Sequence, residues 1–365
     1  MKKVLVLIFT MVIFSCERKI LDESEPSSII NAEDILLVQN SENIPIYDGN
    51  AEILTFENQE KFSDFMKLLV KNPVSKIEEN PKLRDFYSLS NFNYDVRSSK
   101  LKNLKVGTEK LIPDDEDELV YDPYFAAVLN KNREIEIEGV RFRIIKEGLV
   151  AYIDKGLNVS KVKAFVDFDL KDKSYDKAKP FQIDQEVFFY PQELFFNSEH
   201  FNETINRNAR VLCTSSGSGV FGHNHECFNE YDPGDFRIKG RTWSQSFGIY
   251  ASLGSKTKHQ WRRFGMWLSK DANLVRRKMN IFQVEFEDPF SVQVVDFAQF
   301  GSPINYSENY NHHEVAWVED FQTAVFTTKP PFIKKPAKAR KFKKYDTEHL
   351  INKNGVIAEV QLKYN

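Results

Sequence analysis

The sequence predicts an α+β protein: a small α+β N-terminal region followed by a β-rich, sandwich-like antiparallel C-terminal domain. Three observations carry that expectation. Aromatic residues are abundant, with 31 Phe, 14 Tyr and 4 Trp among 365 residues, and such side chains suit pleated, half-buried surfaces. Helical periodicity is confined to the first half of the chain. From residue 181 onward, apolar and polar residues alternate between turn signals, with no βαβ alternation and no internal repeat.

The elements follow in order. In FENQEKFSDFMKLLVKN (56–72), Phe62, Phe65, Met66 and Leu69 fall at i, i+3, i+4 and i+7, the spacing of an amphipathic helix. Asn72-Pro73 stops it. A second short helix is predicted over 80–91. Asp122-Pro123 opens a third, with Asp122 capping and Pro123 in the first position. Ile135 and Ile137 alternate with glutamates as a strand, Gly139 turns, 140–145 runs back, Gly148 turns, and 149–153 makes a third strand.

Further on, FRIKGRTWSQSFGIYASLG reads as one strand, with Trp243, Phe247, Ile249, Ala251 and Leu253 on one face. Gly254-Ser255 begins the turn and 256–268 returns. Around Phe264-Gly265-Met266-Trp267-Leu268 the return strand is apolar on both sides, which predicts a central position. The last segment, GVIAEVQLKYN, alternates as a strand tied into a sheet.

The N-terminus bears on location. Lys2 and Lys3 precede an apolar run over 4–14, too short to span a bilayer as a helix. Ile13-Phe14-Ser15-Cys16 resembles the lipobox of bacterial lipoproteins. The resemblance implies cleavage after Ser15 and acylation of Cys16, hence a membrane anchor at the N-terminal lipid. The following ERKILDESEPSSIINAED has the composition of a flexible tether, and resembles tethers of surface-displayed Bacteroidota lipoproteins. The phrase DPYFAAVLN with EIEIEGVRFRI resembles a module of uncharacterised lipoproteins of that group, for which no catalytic residues are known. The expected organisation is a signal peptide at 1–15, a tether at 16–45, an α+β region at 46–180 and a β domain at 181–365.

A formal charge of −3 excludes a strongly basic nucleic-acid binder. The densest candidate site is GHNHEC (222–227). On a strand, His223, His225 and Cys227 face one way, and zinc accepts such ligands, with Cys213 as a fourth. Export favours a disulfide between Cys213 and Cys227 instead, leaving the histidines on an exposed loop and no metal. Gly217, Gly219 and Gly222 form a GxGxxG that lacks the following helix a dinucleotide site needs. The acidic run 114–118 reads as a solvated loop. Trp243, Trp261, Trp267 and Trp317 could stack on sugars, but aromatics at strand alternation read as core; Trp261, beside His259 and Arg262, is the best candidate for an exposed, sugar-stacking ring. KPPFIKKPAKARKFKK (329–344) holds eight Lys/Arg and three prolines, and is expected to run extended across a sheet with solvated lysines.

No HExxH, GxSxG or P-loop is present. These readings predict an outer-membrane lipoprotein without cofactor, acting as a non-catalytic binding or assembly module for glycan or an envelope protein. A secreted hydrolase with a carboxylate/histidine site, and a scaffold docking through 329–344, stand as alternatives.

Overall fold

A computed structural model describes residues 46–48, 53–71, 86–102, 116–117, 119–167, 175–196, 211–219, 221–231, 234–288, 291–300 and 306–364. The lipobox, the tether through residue 45, and Asp114, Asp115 and Glu118 lie outside them. From Glu42 on, the chain forms one compact unit. It is strand-rich, with three large sheets and a two-stranded one.

The first sheet has seven strands: β1 (Ile46–Asp48), β2 (Ile53–Phe56), β3 (Glu134–Ile137), β4 (Val140–Ile145), β5 (Gly148–Ile153), β6 (Phe181–Asp184) and β7 (Val187–Pro191), in the order β1-β2-β3-β4-β5-β7-β6. Only β2 and β3 pair in parallel. The expected boundary at 180/181 therefore falls between a sheet and its own last two strands. After residue 153 the chain forms a helix, and β7 pairs antiparallel with β5, whose residues Gly148 to Tyr152 are buried.

Helix α1 (Gln59–Lys71) buries the predicted stripe, with Phe62, Phe65, Met66 and Leu69 at most 5% exposed. The helix expected over 80–91 lies later, as α2 (Leu89–Lys102). Its weak apolar stripe hid it among polar residues. Helix α3 (Pro123–Ala126) starts as predicted: Asp122 accepts hydrogen bonds from the Tyr124 and Phe125 amides at 2.8 and 3.2 Å. Helix α4 (Gly156–Asp167) packs Val162 and Phe165 on the far face of the first sheet.

The second sheet is built from β8 (Val211–Gly219), β9 (Gly222–Tyr231), β10 (Phe236–Ser246), β11 (Tyr250–Arg263) and β12 (Met266–Ser269), with β16 (Glu314–Thr323) beside β11. The third holds β13 (Ala272–Asp288), β14 (Ser291–Asp296), β15 (Tyr306–His312), β19 (Lys341–Lys353) and β20 (Val356–Tyr364). The short β17 (Val325–Phe326) and β18 (Ile333–Lys335) pair with each other. The last strand is tied in as expected, along β19.

Sheets two and three face each other across one core. Ile238 and Leu253 meet Val275, Phe282, Phe342, Tyr345, Val360 and Leu362 there. A second core joins the first sheet and α1 to the far end of the second sheet, where Phe125 stacks on Tyr250 with ring centroids 4.5 Å apart.

Two turns differ from expectation. The strand read through 236–253 breaks at Phe247-Gly248-Ile249, where Gly248 has φ +78°. Gly254 is not a turn. It lies inside β11, where a Cβ would run into the Trp317 carbonyl and the Trp243 ring. The run read as a central strand turns instead at Phe264-Gly265, so β12 is a short edge strand.

Candidate functional site

The HNHEC residues lie on β9, not on an exposed loop, and alternate between the two faces of the second sheet. His223, His225 and Cys227 point into the space between sheets two and three; all three are buried. The Tyr345 hydroxyl sits between the imidazoles, 3.2 Å from His223 Nε2 and 2.5 Å from His225 Nδ1. His225 Nε2 is 3.5 Å from Cys227 Sγ. Burial pushes His223 down to about 3, with neighbouring His225 adding, and pushes His225 down to about 4. Both are neutral at physiological pH. The register places Cys213 directly opposite Cys227 across β8–β9; the Cys213 side chain is outside the described set. The glycines of the GxGxxG form the β8–β9 hairpin, with Gly219 across from Gly222.

A second polar column continues along this interior. The Thr257 hydroxyl donates to the Arg276 carbonyl at 3.0 Å and lies 2.7 Å from His349 Nδ1. His349 Nε2 is 3.1 Å from the Thr347 hydroxyl, which is 3.3 Å from that of Thr242. A carbonyl only accepts, so the chain has one direction. Thr257 must accept from His349 Nδ1–H, and Thr347 must donate to Nε2. Burial holds His349 near 3 as well. Arg277 is fully buried and pairs with Glu319 at 2.7 Å. Glu319 is the extra residue of a β-bulge opposite Leu253 and Gly254, and burial pushes its carboxyl up to about 7 against the pull of Arg277.

The opposite face of the second sheet carries charge. Cross-strand pairing sets Lys239 beside Lys258 and Arg241 beside Lys256, four buried cations in a square. Like charges directly opposite destabilise a sheet, so the square needs carboxylates. Glu226 flanks Arg241 on β9, and Glu314 lies 3.4 Å from Lys258 on β16. Glu116 covers the centre, at 2.7 Å from Lys256, 2.5 Å from Lys239 and 3.3 Å from Arg241. Burial would raise the Glu116 carboxyl, but Arg241, Lys239, Lys256 and Lys258 together hold it well below the usual range. Tyr121 lies over Arg241 at 4.5 Å. Asp117 pairs with Arg133 at 2.8 Å and caps the Leu119 and Val120 amides. The acidic run was expected to be solvated. Its Glu116 and Asp117 are instead the lock between the N-terminal part and the second sheet. The signal was in the chain as two basic residues two apart on each of two adjacent strands.

The remaining candidates separate. Trp261 is 3% exposed, held between Arg263 at 4.4 Å and Lys270 at 4.3 Å, and offers no open ring face for a sugar. His259 is buried, bonded to the Tyr231 hydroxyl at 2.6 Å and the Lys270 carbonyl at 2.5 Å. Only Arg262 is exposed. His312 and His313 stack at 4.5 Å near the surface, His313 lying 3.2 Å from Asp271. Among the described residues, no three His, Cys, Asp or Glu side chains are grouped to hold a metal ion.

The basic segment is rigidly laid. Phe332, Ile333, Ala337 and Phe342 are buried. The Ala337 amide donates to the Gly248 carbonyl at 2.9 Å, and Ser246 and Ser244 donate to the Ala337 and Arg340 carbonyls, both at 2.7 Å. The strap thus crosses the β10–β11 turn, but its end differs from the expected loop of solvated lysines: residues from Lys341 on belong to β19, and Lys341 and Lys343 pair with Glu285. Lys329, Lys334, Lys335 and Lys338 are exposed.

No family model matches the chain. No curated protein matches it either. Among solved structures, it is similar to a crystal structure of a DUF4848 family protein from Bacteroides thetaiotaomicron, at 13% identity over 87% of this chain and all of that one. The TM-score is 0.20, too low to support an argument about fold or function.

Proposed function

We propose that this chain is a lipid-anchored envelope protein of the Bacteroidota type that acts as a non-catalytic binding or assembly module. Its N-terminal α+β region and C-terminal sandwich form the rigid body. The anchor is Cys16, acylated at the outer membrane, and the docking surface is the basic strap at 329–344. One observation carries the docking surface: buried Phe332, Ile333 and Ala337 fix the strap, so exposed Lys329, Lys334, Lys335 and Lys338 keep set positions. A preorganised cationic row suits an acidic envelope protein, since ordering costs are met in folding rather than binding. The hydrolase alternative has less support, because His223, His225, His259 and His349 are buried and engaged within the fold.

Charge reversal at Lys334, Lys335 and Lys338 together tests the surface. The variant should fold and melt like the wild type, yet lose its co-purifying envelope partner. An unchanged set of co-purifying proteins would remove the strap from the reading. Palmitate labelling tests the anchor: label should be incorporated by the wild type and absent from Cys16→Ser.

The same reading includes a Cys213–Cys227 disulfide. Directly opposed antiparallel residues have Cα atoms about 4.5 or 5.5 Å apart, both within the range a disulfide spans. Thiol titration of the unfolded Cys16→Ser chain should find no free thiol before reduction and two after it.

A further inference from the structure

Among the described residues, three two-residue hairpin turns have positive φ at both positions, the type I′ backbone. They are Glu138-Gly139 at +55° and +74°, Asn354-Gly355 at +53° and +86°, and Phe264-Gly265 at +53° and +76°. Asn is the residue such a first position favours. Glu138 has a structural task, since its carboxylate accepts from the Gln59 amide at 3.1 Å and ties the turn to α1. Phe264 is the unsuitable one. A bulky aromatic is an outlier at positive φ, and Phe264 is 50% exposed. Backbone strain combined with an exposed apolar ring benefits neither the turn nor the core, and strain of this kind collects at functional places.

The surroundings point to a ligand class. Arg262 and Arg263 beside the turn are exposed, and Met266 and Trp267 are partly exposed. Arg237 lies between the rings of Phe228 and Trp267, at 4.5 and 4.2 Å. Among the described residues, Glu230, Asp235 and Asp271 are the exposed acids nearby, and Arg237, Arg262, Arg263 and Lys270 outnumber them. Trp261 and Leu268, packed with Phe236 and Met266, form a small core under the tip and hold it in place. An apolar point flanked by aromatic and guanidinium groups matches the layering of a bilayer interface. Aromatic rings settle at headgroup depth there, and cations meet lipid phosphates.

We propose that the β11–β12 hairpin tip inserts into an anionic lipid surface, with Phe264 entering the acyl boundary, Trp267 at headgroup level, and Arg262 and Arg263 on lipid phosphates. The contact stands apart from the strap. The strap crosses Gly248 at one end of β11 and the tip lies at the other, roughly 40 Å away at strand rise. One end of the second sheet thus faces lipid while the other presents the basic row.

The test uses the full chain carrying Cys16→Ser, so that no acyl group contributes. It should co-sediment with vesicles of phosphatidylcholine containing about a third phosphatidylglycerol, and more weakly as salt rises. Phe264→Asn should bind about tenfold more weakly while melting no lower, because Asn suits the turn better. That pairing separates lost insertion from lost folding. Arg262→Glu combined with Arg263→Glu should remove the preference for anionic vesicles. Wild-type chain that stays in the supernatant, or Phe264→Asn that sediments like the wild type, would overturn the proposal.

Discussion

The two faces of the second sheet solve the same problem by different chemistry. Both bury polar side chains. The face toward the third sheet uses mostly neutral groups, His223, His225, His349, Thr242, Thr257 and Tyr345, joined in hydrogen-bonded columns beside an ion pair, Arg277 with Glu319. The face toward residues 116–121 uses full charges, four cations against Glu116, Glu226 and Glu314. Buried charges are costly to desolvate and depend on one another, whereas neutral columns lose only what each bond supplies. The charged face should therefore fail abruptly and the neutral face gradually.

Arg241→Ala tests the charged face hardest. Arg241 contacts both Glu116 and Glu226. Removing it takes from Glu226 its closest cation, leaving Lys239 at 3.0 Å, takes one of the three cations around Glu116, and opens a cavity in the buried square, at an expected cost of about 3–5 kcal/mol. Urea unfolding measures this. A cost under about 1 kcal/mol would mean that the square is solvated and the contrast between faces false.

How much of this was legible in the sequence follows from the range of each signal. The α1 stripe, the Asp122 cap and the β3–β5 meander depend on neighbours within a few residues, and all three lie where periodicity and turn chemistry put them. The hairpin at 247–249 was missed because Gly254 is the more obvious turn residue. Its real constraint is the Trp317 backbone, some sixty positions away. The burial of Glu116 depends on pairing between β9, β10 and β11, which no local pattern reports. The alternation of HNHEC is a local signal, but which face it presents, and that the face is buried, depends on β19 lying over it. What lies opposite a strand decides whether a histidine is a ligand, a base or a core residue.

On the neutral face, Gly240→Ala should have the largest effect. A Cβ there meets the His349 ring at 2.6 Å and Leu362 at 2.8 Å. Neither can retreat from between two sheets, so the cost is about 1–3 kcal/mol. A variant as stable as the wild type would show that the interior is loosely packed.

Acid should separate the faces. His223, His225, His259 and His349 have folded values near 3 or 4 against an ordinary 6.5. Between those limits the unfolded chain binds more protons at these histidines, so their contribution to stability falls as pH drops below about 6.5, opposed in part by Glu319, whose carboxyl, raised to about 7, takes up a proton in the folded state over the same range. Each histidine should contribute about 1–2 kcal/mol of that loss by pH 5. Glu116 is depressed instead, so its contribution is intact above the ordinary 4.5 and is lost only below it. His223→Gln should flatten the slope between pH 6.5 and 5, whereas Arg241→Ala should leave that slope unchanged. Equal slopes for His223→Gln and wild type would remove the histidines as its source.

The smallest effect belongs to the end of the threonine column. Thr242 donates to Thr347, which donates to His349 Nε2; His349 Nδ1–H in turn reaches Thr257, whose proton goes to the Arg276 carbonyl. Thr242 begins this chain. Thr242→Val removes one donor and leaves Thr347 with its own proton still placed, so the expected cost is about 0.5–1 kcal/mol. Thr257→Val cuts the middle. It strands the Nδ1 proton of His349 and one acceptor of the Arg276 carbonyl together, and should cost more than Thr242→Val by a margin urea unfolding resolves. Nitrogen NMR should find His349 protonated on Nδ1 in the wild type and in Thr242→Val alike. If the two valine variants proved equally stable, or His349 carried its proton on Nε2, the column would have no single direction. The neutral face would then be a set of separate pairs rather than a chain.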